Sequence, residues 1–345
     1  MIVFVKTTGT NKEIRLNTRN KMFFAALLAT VASVSQAQTF CIFDPSGTSG
    51  DSFSMMRDYS LSAKQWGAEL TLKAYTDEEL VAKDFKSGKC DATAITAIRA
   101  RQFNNFVASI DSVGGIINKS QTKTIITLMA NPKLAPDMVD NGVEVAGVSS
   151  LGGGYLIVND RNINSLQKII GKRLAIFDND KAGKTIIEKV GAIPVTVTLS
   201  TIGPLFNSGK IDIIYLPAMA FKPLDINKGI GTKGAVIRFP LVAVTYDVLI
   251  HPDKFPEGYG QKSRTWFAQT LDRQMANVNK IEKGIDERYW EDIPPVPAQG
   301  YFQILREARI SLVKQGIYDK KMMGILKKIR CRNEPNNPEC SKTDE

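Results

Sequence analysis

A seven-residue segment, FKSGKCD at Phe85–Asp91, returns as FNSGKID at Phe206–Asp212, 121 residues later. In each copy a stretch with helical periodicity ends at a Ser-Gly pair and a strand-like run begins at once: CDATAIT after the first, IDIIYL after the second. A helix that must stop and turn sharply needs a left-handed residue just past its end, and Gly88 and Gly209 supply one without a Cβ clash. Two such helix–Gly–strand corners in one chain predict two similar α/β lobes. A ligand in a paired-lobe protein sits between the lobes.

The rest of the chain alternates in the same way. TFCIFD, ELTLKAY and CDATAIT read as strands. Between the first two, the loop Asp44–Ser49 leads through the capping-box pattern Thr48-Ser49-Gly50-Asp51 into a helix over 50–66. Between the second and third, Thr76-Asp77-Glu78-Glu79 opens the helix that ends at Gly88, and AIRARQFNNFVASI then continues as helix. The middle repeats the order: strands VEVAGV and GYLIVND around the flexible Gly152-Gly153-Gly154, then two helix–Gly–strand passages at Gly171 and Gly191. After the second corner, AVIRFPLVAVTYDVLIHP reads as a long strand that returns the chain to the first lobe. Three helical stretches follow, the proline-bearing EDIPPVPAQ setting the first apart. Strand–helix alternation with short loops predicts parallel sheets flanked by helices.

The first 37 residues read as an export signal. Lys12, Arg15, Arg19 and Lys21 precede the apolar run Met22–Val34, and Ser35-Gln36-Ala37 provides the small residues of a cleavage site, so cleavage is expected after Ala37. Translation starting at Met22 would leave the same signal. Removing it takes the formal charge from +10 to +6, with 40 basic against 34 acidic residues, which is compatible with an anionic ligand or membrane surface and requires neither. No basic stripe interleaved with aromatics points to nucleic acid. Four cysteines suit an oxidising compartment. Cys41 and Cys90 each open a strand, and neighbouring parallel strands bring their starts side by side. Of three possible pairings we expect Cys41–Cys90 and Cys331–Cys340, the first worth about 4 kcal/mol by loop closure.

Catalytic templates fail. The sole histidine, His251, precedes Pro252 at a strand end and reads as a surface or hinge residue. There is no G-x-S-x-G elbow. Gly229–Gly234 spells GxGxxG but precedes a strand instead of following one, and DNDKAGKT at Asp178–Thr185 puts two aspartates where a phosphate loop needs glycine and amide donors. With a single histidine and no CxxC pair, no metal site or cofactor is expected. The basic C-terminal residues Lys320, Lys321, Lys327, Lys328, Arg330 and Arg332 read as a solvated helix face.

In its order of elements the chain resembles periplasmic solute-binding proteins of the two-lobed type II class, TRAP-transporter receptors among them. The resemblance is carried by GKRLAI at Gly171, VGAIPVTV at Val190–Val197, LFNSGKIDIIYLP and VTYDVLIHPDKFPE. FCIFDPSGTSGDSFSMMRDY, SAKQWGAEL and AIRARQFN further resemble short exported bacterial solute-binding proteins, some of them labelled RND-type efflux components. That label conflicts with a chain that has no membrane-spanning run after its signal. The resemblance covers about residues 38–330. It implies a lobe I of residues 38–140 and 246–330, a lobe II of 141–245, a disulfide-looped tail at 331–345, and an α/β type II fold with a ligand cleft between the lobes. It also implies a monomeric, non-enzymatic receptor for a small polar or anionic solute, working with a membrane transporter or efflux complex. The rival reading is an envelope accessory protein that binds a protein or membrane without capturing solute.

One departure stands out: TRAP receptors carry a substrate-carboxylate arginine four residues after the glycine matching Gly171, and here that position is Ala175. Ligand contacts are expected where the strands' carboxyl ends face each other. In lobe I these are Asp44, Ser46, Thr48, Ser49, Thr96, Arg99, Arg101 and Gln102; two residues apart, the arginines cannot both face the cleft. In lobe II the segments are Ser149–Tyr155, Asp178–Lys181 and Tyr215–Met219, with Ser149, Tyr155, Asp178 and Tyr215 as the expected contacts. Tyr246 and Asp247 on the return strand are expected to assist lobe closure.

Overall fold

The computed structural model describes residues 37–345, except Pro294 and the side chains of 295–300. The expected signal over 1–37 therefore lies, but for Ala37, outside the described residues. The first half of the sheet is built from β1 (Gln38–Phe43), β2 (Leu70–Tyr75) and β3 (Ala92–Thr96), all parallel, with α1 (Asp51–Gln65) and α2 (Glu78–Lys86) as crossovers. The second half is β6 (Arg173–Phe177), β7 (Ile193–Val197) and β8 (Ile213–Pro217), again parallel, linked by α7 (Lys181–Lys189) and α8 (Leu199–Asn207). α3 (Ala97–Ala100), α4 (Asn105–Ala108) and α5 (Lys119–Met129) follow β3, and α6 (Leu166–Ile169) precedes β6.

Two 16-residue antiparallel strands, β5 (Val143–Val158) and β9 (Ala235–Ile250), join the halves in the order β2-β1-β3-β9-β5-β8-β6-β7. β3 pairs with one end of β9, at Tyr246–Ile250, and β8 pairs with the far end of β5, at Gly154–Val158. Because β3 and β5 are both antiparallel to β9 while β8 is antiparallel to β5, the two parallel sets run toward each other. Their carboxyl ends meet at a cleft, and the β5–β9 ribbon crosses it.

The ribbon corrects one expectation. VEVAGV and GYLIVND are not two strands around a glycine turn but one strand, with register shifts against β9 that include one between Ser150 and Gly152 and two more between Gly154 and Ile157. The glycines serve close approach: a Cβ on Gly154 would fall 2.7 Å from the Tyr215 ring, and one on Gly152, at φ +94°, 2.8 Å from Val278. The helix expected through AIRARQFNNFVASI is also broken, because Asn104 caps a new start by accepting the Val107 N–H at 2.8 Å.

The two repeat corners share the same set of bonds. Gly88 and Gly209 have φ of +76° and +70°, and a Cβ at either would meet nothing. Lys89 N donates to Asp84 O at 3.0 Å, and Lys210 N to Leu205 O at 2.9 Å. Phe85 and Phe206 are fully buried. The terminal aspartate of each copy then holds the start of the neighbouring strand: Asp91 accepts from Thr39 N at 2.8 Å, Asp212 from Arg173 N at 2.9 Å. The staples differ. In the first half the Cys41–Cys90 disulfide closes the corner, with Cα atoms 5.9 Å apart; in the second, Ile211 replaces the cysteine and Arg173 pairs with Asp212 at 2.6 Å. His251 packs on the first corner, its ring stacked on Phe85 and its Nε2 3.1 Å from Phe85 O.

The C-terminal part packs back on the first half. α10 (Tyr259–Lys283) lies along β5, and the Tyr59 hydroxyl of α1 meets Tyr259 and Ser263, each at 2.7 Å. Two further strands, β4 (Val139–Asp140) and β10 (Trp290–Glu291), and the helix α9 (Ile226–Ile230) are short. α11 (Pro295–Lys314) and α12 (Lys320–Asn333) end in the loop closed by Cys331–Cys340. That loop corrects the reading of Arg330 as solvated. Arg330 is buried, paired with Glu339 at 2.6 Å and Glu345 at 3.0 Å, and Arg309 binds the same two carboxylates.

Candidate functional site

The residues after β1, β3, β6 and β8 form the walls of the cleft, and the lobes touch across it. Arg99 of α3 reaches Asp178 after β6 at 3.4 Å, and Asn179 Nδ2 donates to Ile98 O at 3.4 Å. Ala182 of α7 is buried in the first-half core, and Tyr215 of β8 packs against the cores of both halves. Beside α10 the closed lobes leave a cavity of about 50 Å³ lined by Asp51, Met55, Leu151, Met219 and Gln274 among others. That volume holds a few water molecules or a small head group.

The expected contacts divide into two groups. Asp44 is buried and serves its own loop, accepting from Ser46 N at 2.9 Å and Phe53 N at 3.0 Å. It is thus the cap of α1: the helix begins after Gly50, not at a Thr48 or Ser49 cap, and a Cβ on Gly50 would land 1.8 Å from the Asp44 carboxylate. Ser46, Thr48 and Ser49 are exposed, with Ser49 Oγ bonded to Ser46 O. Ser149 is fully buried and donates to Tyr246 O at 3.2 Å. Tyr155 donates to Glu282 of α10 at 2.9 Å, and burial with that carboxylate raises its hydroxyl pKa.

The second group faces the other lobe. Thr96 ends β3, its N–H held by Glu78 at 2.6 Å, and Gln102 bonds back to Arg99 O. Arg99 and Asp178 bridge the rims. Arg101, as its spacing required, turns elsewhere. Its guanidinium donates to Ala108 O at 2.8 Å and Ile317 O at 3.1 Å and stacks over the Tyr318 ring. Tyr246 lies in the first half, donating to Phe43 O.

Three aspartates complete the interlobe region. Asp111, in the turn after α4, accepts from Thr245 N at 3.1 Å and Thr245 Oγ1 at 2.7 Å; burial pushes its pKa up to about 7 against those bonds. Asp247, two residues along β9, is 1% exposed and raised well above the carboxylate range by burial and then by the charge of Asp111. Asp180 caps α7 through Gly183 N at 2.8 Å and is raised by burial. Burial, then the charges of Asp180 and Asp111, raise the Tyr215 hydroxyl. The sequence reading missed Asp111 and Thr245. The available signal was a lone acid inside the apolar run FVASIDSVGGII. Among the described residues no group of acids, histidines or cysteines is arranged to hold a metal ion.

Comparison with known proteins agrees with this geometry. The chain is 46% identical over 304 residues to "Probable solute-binding protein AdeT1" of Acinetobacter baumannii, covering 88% of this chain and all of that protein. It is 26% identical over 234 residues to "Probable solute-binding protein AdeT2" of the same organism, covering 68% and 98%. Its fold matches a TRAP periplasmic solute-binding protein of Desulfovibrio salexigens with bound orotic acid (TM-score 0.72, 11% identity, 86% of this chain and 99% of that one). It also matches the Bordetella pertussis extracytoplasmic solute receptor DctP7, which binds pyroglutamic acid (TM-score 0.66, 14% identity, 86% and 99%). These neighbours share the two-lobed α/β architecture. Residues 58–345 match the family described as Solute-binding protein AdeT 1/2, and the chain belongs to that family.

Proposed function

We propose that this chain is a non-enzymatic periplasmic receptor that captures a small polar solute between its lobes and delivers it to a membrane transporter. The observation that carries this reading is the pair of opposed carboxyl-end faces joined by the β5–β9 ribbon, with Arg99–Asp178 and Asn179–Ile98 contacts that only a closed cleft can make. Closure is then a population shift, driven by contacts that the open form lacks. Thr96, Arg99, Gln102, Asp178 and Tyr215 are the rim and wall residues of this reading; Asp44, Ser149 and Tyr155 support them from behind. Lobe I is taken as 38–140 with 246–330 and lobe II as 141–245, the ribbon forming the passage between them and 331–345 the looped tail. Export by the leader, with cleavage after Ala37, places the receptor outside the cytoplasm. Among the described residues no helix is long and apolar enough to cross a membrane.

The neighbours' organic-acid ligands fit a polar solute here, but Ala175, buried in the lobe II core, offers no clamp for a carboxylate. Native mass spectrometry of protein purified from the periplasm tests the receptor reading. A retained small molecule, lost on reversible unfolding and raising the melting temperature when restored, is the expected result. Protein that retains nothing, and that no solute of any class stabilises, would refute it in favour of an accessory role.

A further inference from the structure

The interlobe faces carry more carboxyl groups than the fold satisfies. Asp247 sits within β9 opposite Ile95 of β3 and Val148 of β5; the Thr245 hydroxyl lies near enough to lower its pKa slightly, but that hydroxyl is bonded to Asp111, and neither Asp247 oxygen has a partner at hydrogen-bond geometry. A buried carboxylate left so is costly and calls for an explanation. Thr245 is two residues along, hence on the same strand face, and donates to Asp111, itself 6% exposed. From lobe II, Tyr215 packs against the first-half core, and Asp180 lies between Asn179, which bonds Ile98 O, and Ala182, which is buried in that core. Tyr215 feels the charges of Asp180, Asp111 and Arg101, and Asp111 and Arg101 both act on Asp247. None of the three aspartates forms an ion pair among the described residues. The nearby cation, Arg101, directs its donors to the Ala108 and Ile317 carbonyls.

We propose that the solute captured between the lobes carries a protonated nitrogen, received by Asp111, Asp180 and Asp247 with the Tyr215 ring and hydroxyl beside it. The inference rests on the receptor reading above and specifies its solute class. Charge-assisted hydrogen bonds to carboxylates and the negative face of an aromatic ring are the two interactions that favour an ammonium or guanidinium over a neutral or acidic group. Asp247 and Asp111 come from one lobe, Asp180 and Tyr215 from the other. Opening therefore separates the set and admits the solute, and closure assembles it. The unpartnered oxygens of Asp247 gain their partner only in the loaded, closed state.

The test measures binding of putrescine, agmatine and choline beside succinate, malonate and glucose, by calorimetry and thermal shift, on the purified wild type, Asp247→Asn and Asp180→Asn. Asn can still cap α7, so the second variant keeps the fold; circular dichroism checks both. Native mass spectrometry reports the class of any solute retained from the cell. The expected result is binding of an amine probe by the wild type, weakened at least tenfold in both variants, with no gain from the acids. A retained or added acid that both variants bind as well as the wild type overturns the inference and leaves the receptor reading intact. So does an amine whose affinity neither variant changes. No binding in any class and no retained solute overturns both.

Discussion

The two ends of the same sheet are built on opposite terms. At the amino ends of β3 and β8, the corners FKSGKCD and FNSGKID place each aspartate on a neighbouring backbone N–H, each glycine in a left-handed turn, and each phenylalanine in the core. At the carboxyl ends, Asp247 has no partner and Asp111 holds a proton near neutral pH. The contrast separates what the chain needs in order to fold from what it retains at the cost of stability. Buried polar groups left unmatched by the fold are where a ligand is expected to complete the match.

The largest effect expected from breaking this comparison is at the first corner. Replacing Cys41 and Cys90 by serine reopens a loop of sequence separation 49 and should remove about 4 kcal/mol of unfolding free energy. Opening Cys331–Cys340, with separation 9, should cost less, about 2.5 kcal/mol. Guanidinium titrations of the two double variants rank them, and equal losses would show that chain entropy does not set the difference.

The cleft end should show itself in the pH dependence of the solute-free protein. Asp111 keeps its proton in the fold up to about pH 7, while the unfolded chain releases it near pH 4. This carboxyl therefore favours the fold at low pH, and its contribution is lost as pH rises from about 4 to about 7, on the order of 4 kcal/mol. Asp111→Asn, which preserves the acceptor for Thr245, should flatten that decline. Urea melts at pH 4.5 and 8 measure it, and an unchanged slope would remove the protonated carboxyl from the account.

The second corner gives the smallest effect and the opposite sign. Arg173 holds the Asp212 carboxyl down to about 2, so its contribution is complete above the usual carboxylate pKa and is lost as pH falls through 2. With the Arg173 side chain 42% exposed, Asp212→Asn should cost only about 1 kcal/mol at neutral pH. A loss matching that of the first disulfide would mean the two corners are stapled with equal strength.

What the sequence disclosed follows the same division. The corners were legible because their physics is local: Ser-Gly-Lys after a helix and a strand directly behind it need only seven residues. Cys41–Cys90 followed from strand starts lying side by side, Cys331–Cys340 from the Pro/Asn-rich turn it brackets, and the long return strand at Ala235–Ile250 from its mostly apolar, β-branched run. Gly152–Gly154 misled because glycine signals both turns and close packing, and only Tyr215 and Val278, far along the chain, decide which. Asp44 as the cap of α1 hid behind the nearer Thr48 and Ser49. The aspartate set was hidden most completely, since Asp111, Asp180 and Asp247 share no motif and meet only through the crossing of β5 and β9. Ala175 pointed the other way, showing from the sequence that the arginine clamp of TRAP receptors has no counterpart here.

The central claim is that the opposed faces close on a solute by bending of the ribbon. Spin labels at the exposed Gln102 and Lys184, on either side of the cleft, report that motion directly as an electron–electron distance distribution. The account predicts a long or broad distribution in protein stripped of solute by reversible unfolding, collapsing to one short distance when the solute is restored. An identical distribution in the stripped and loaded protein would contradict it.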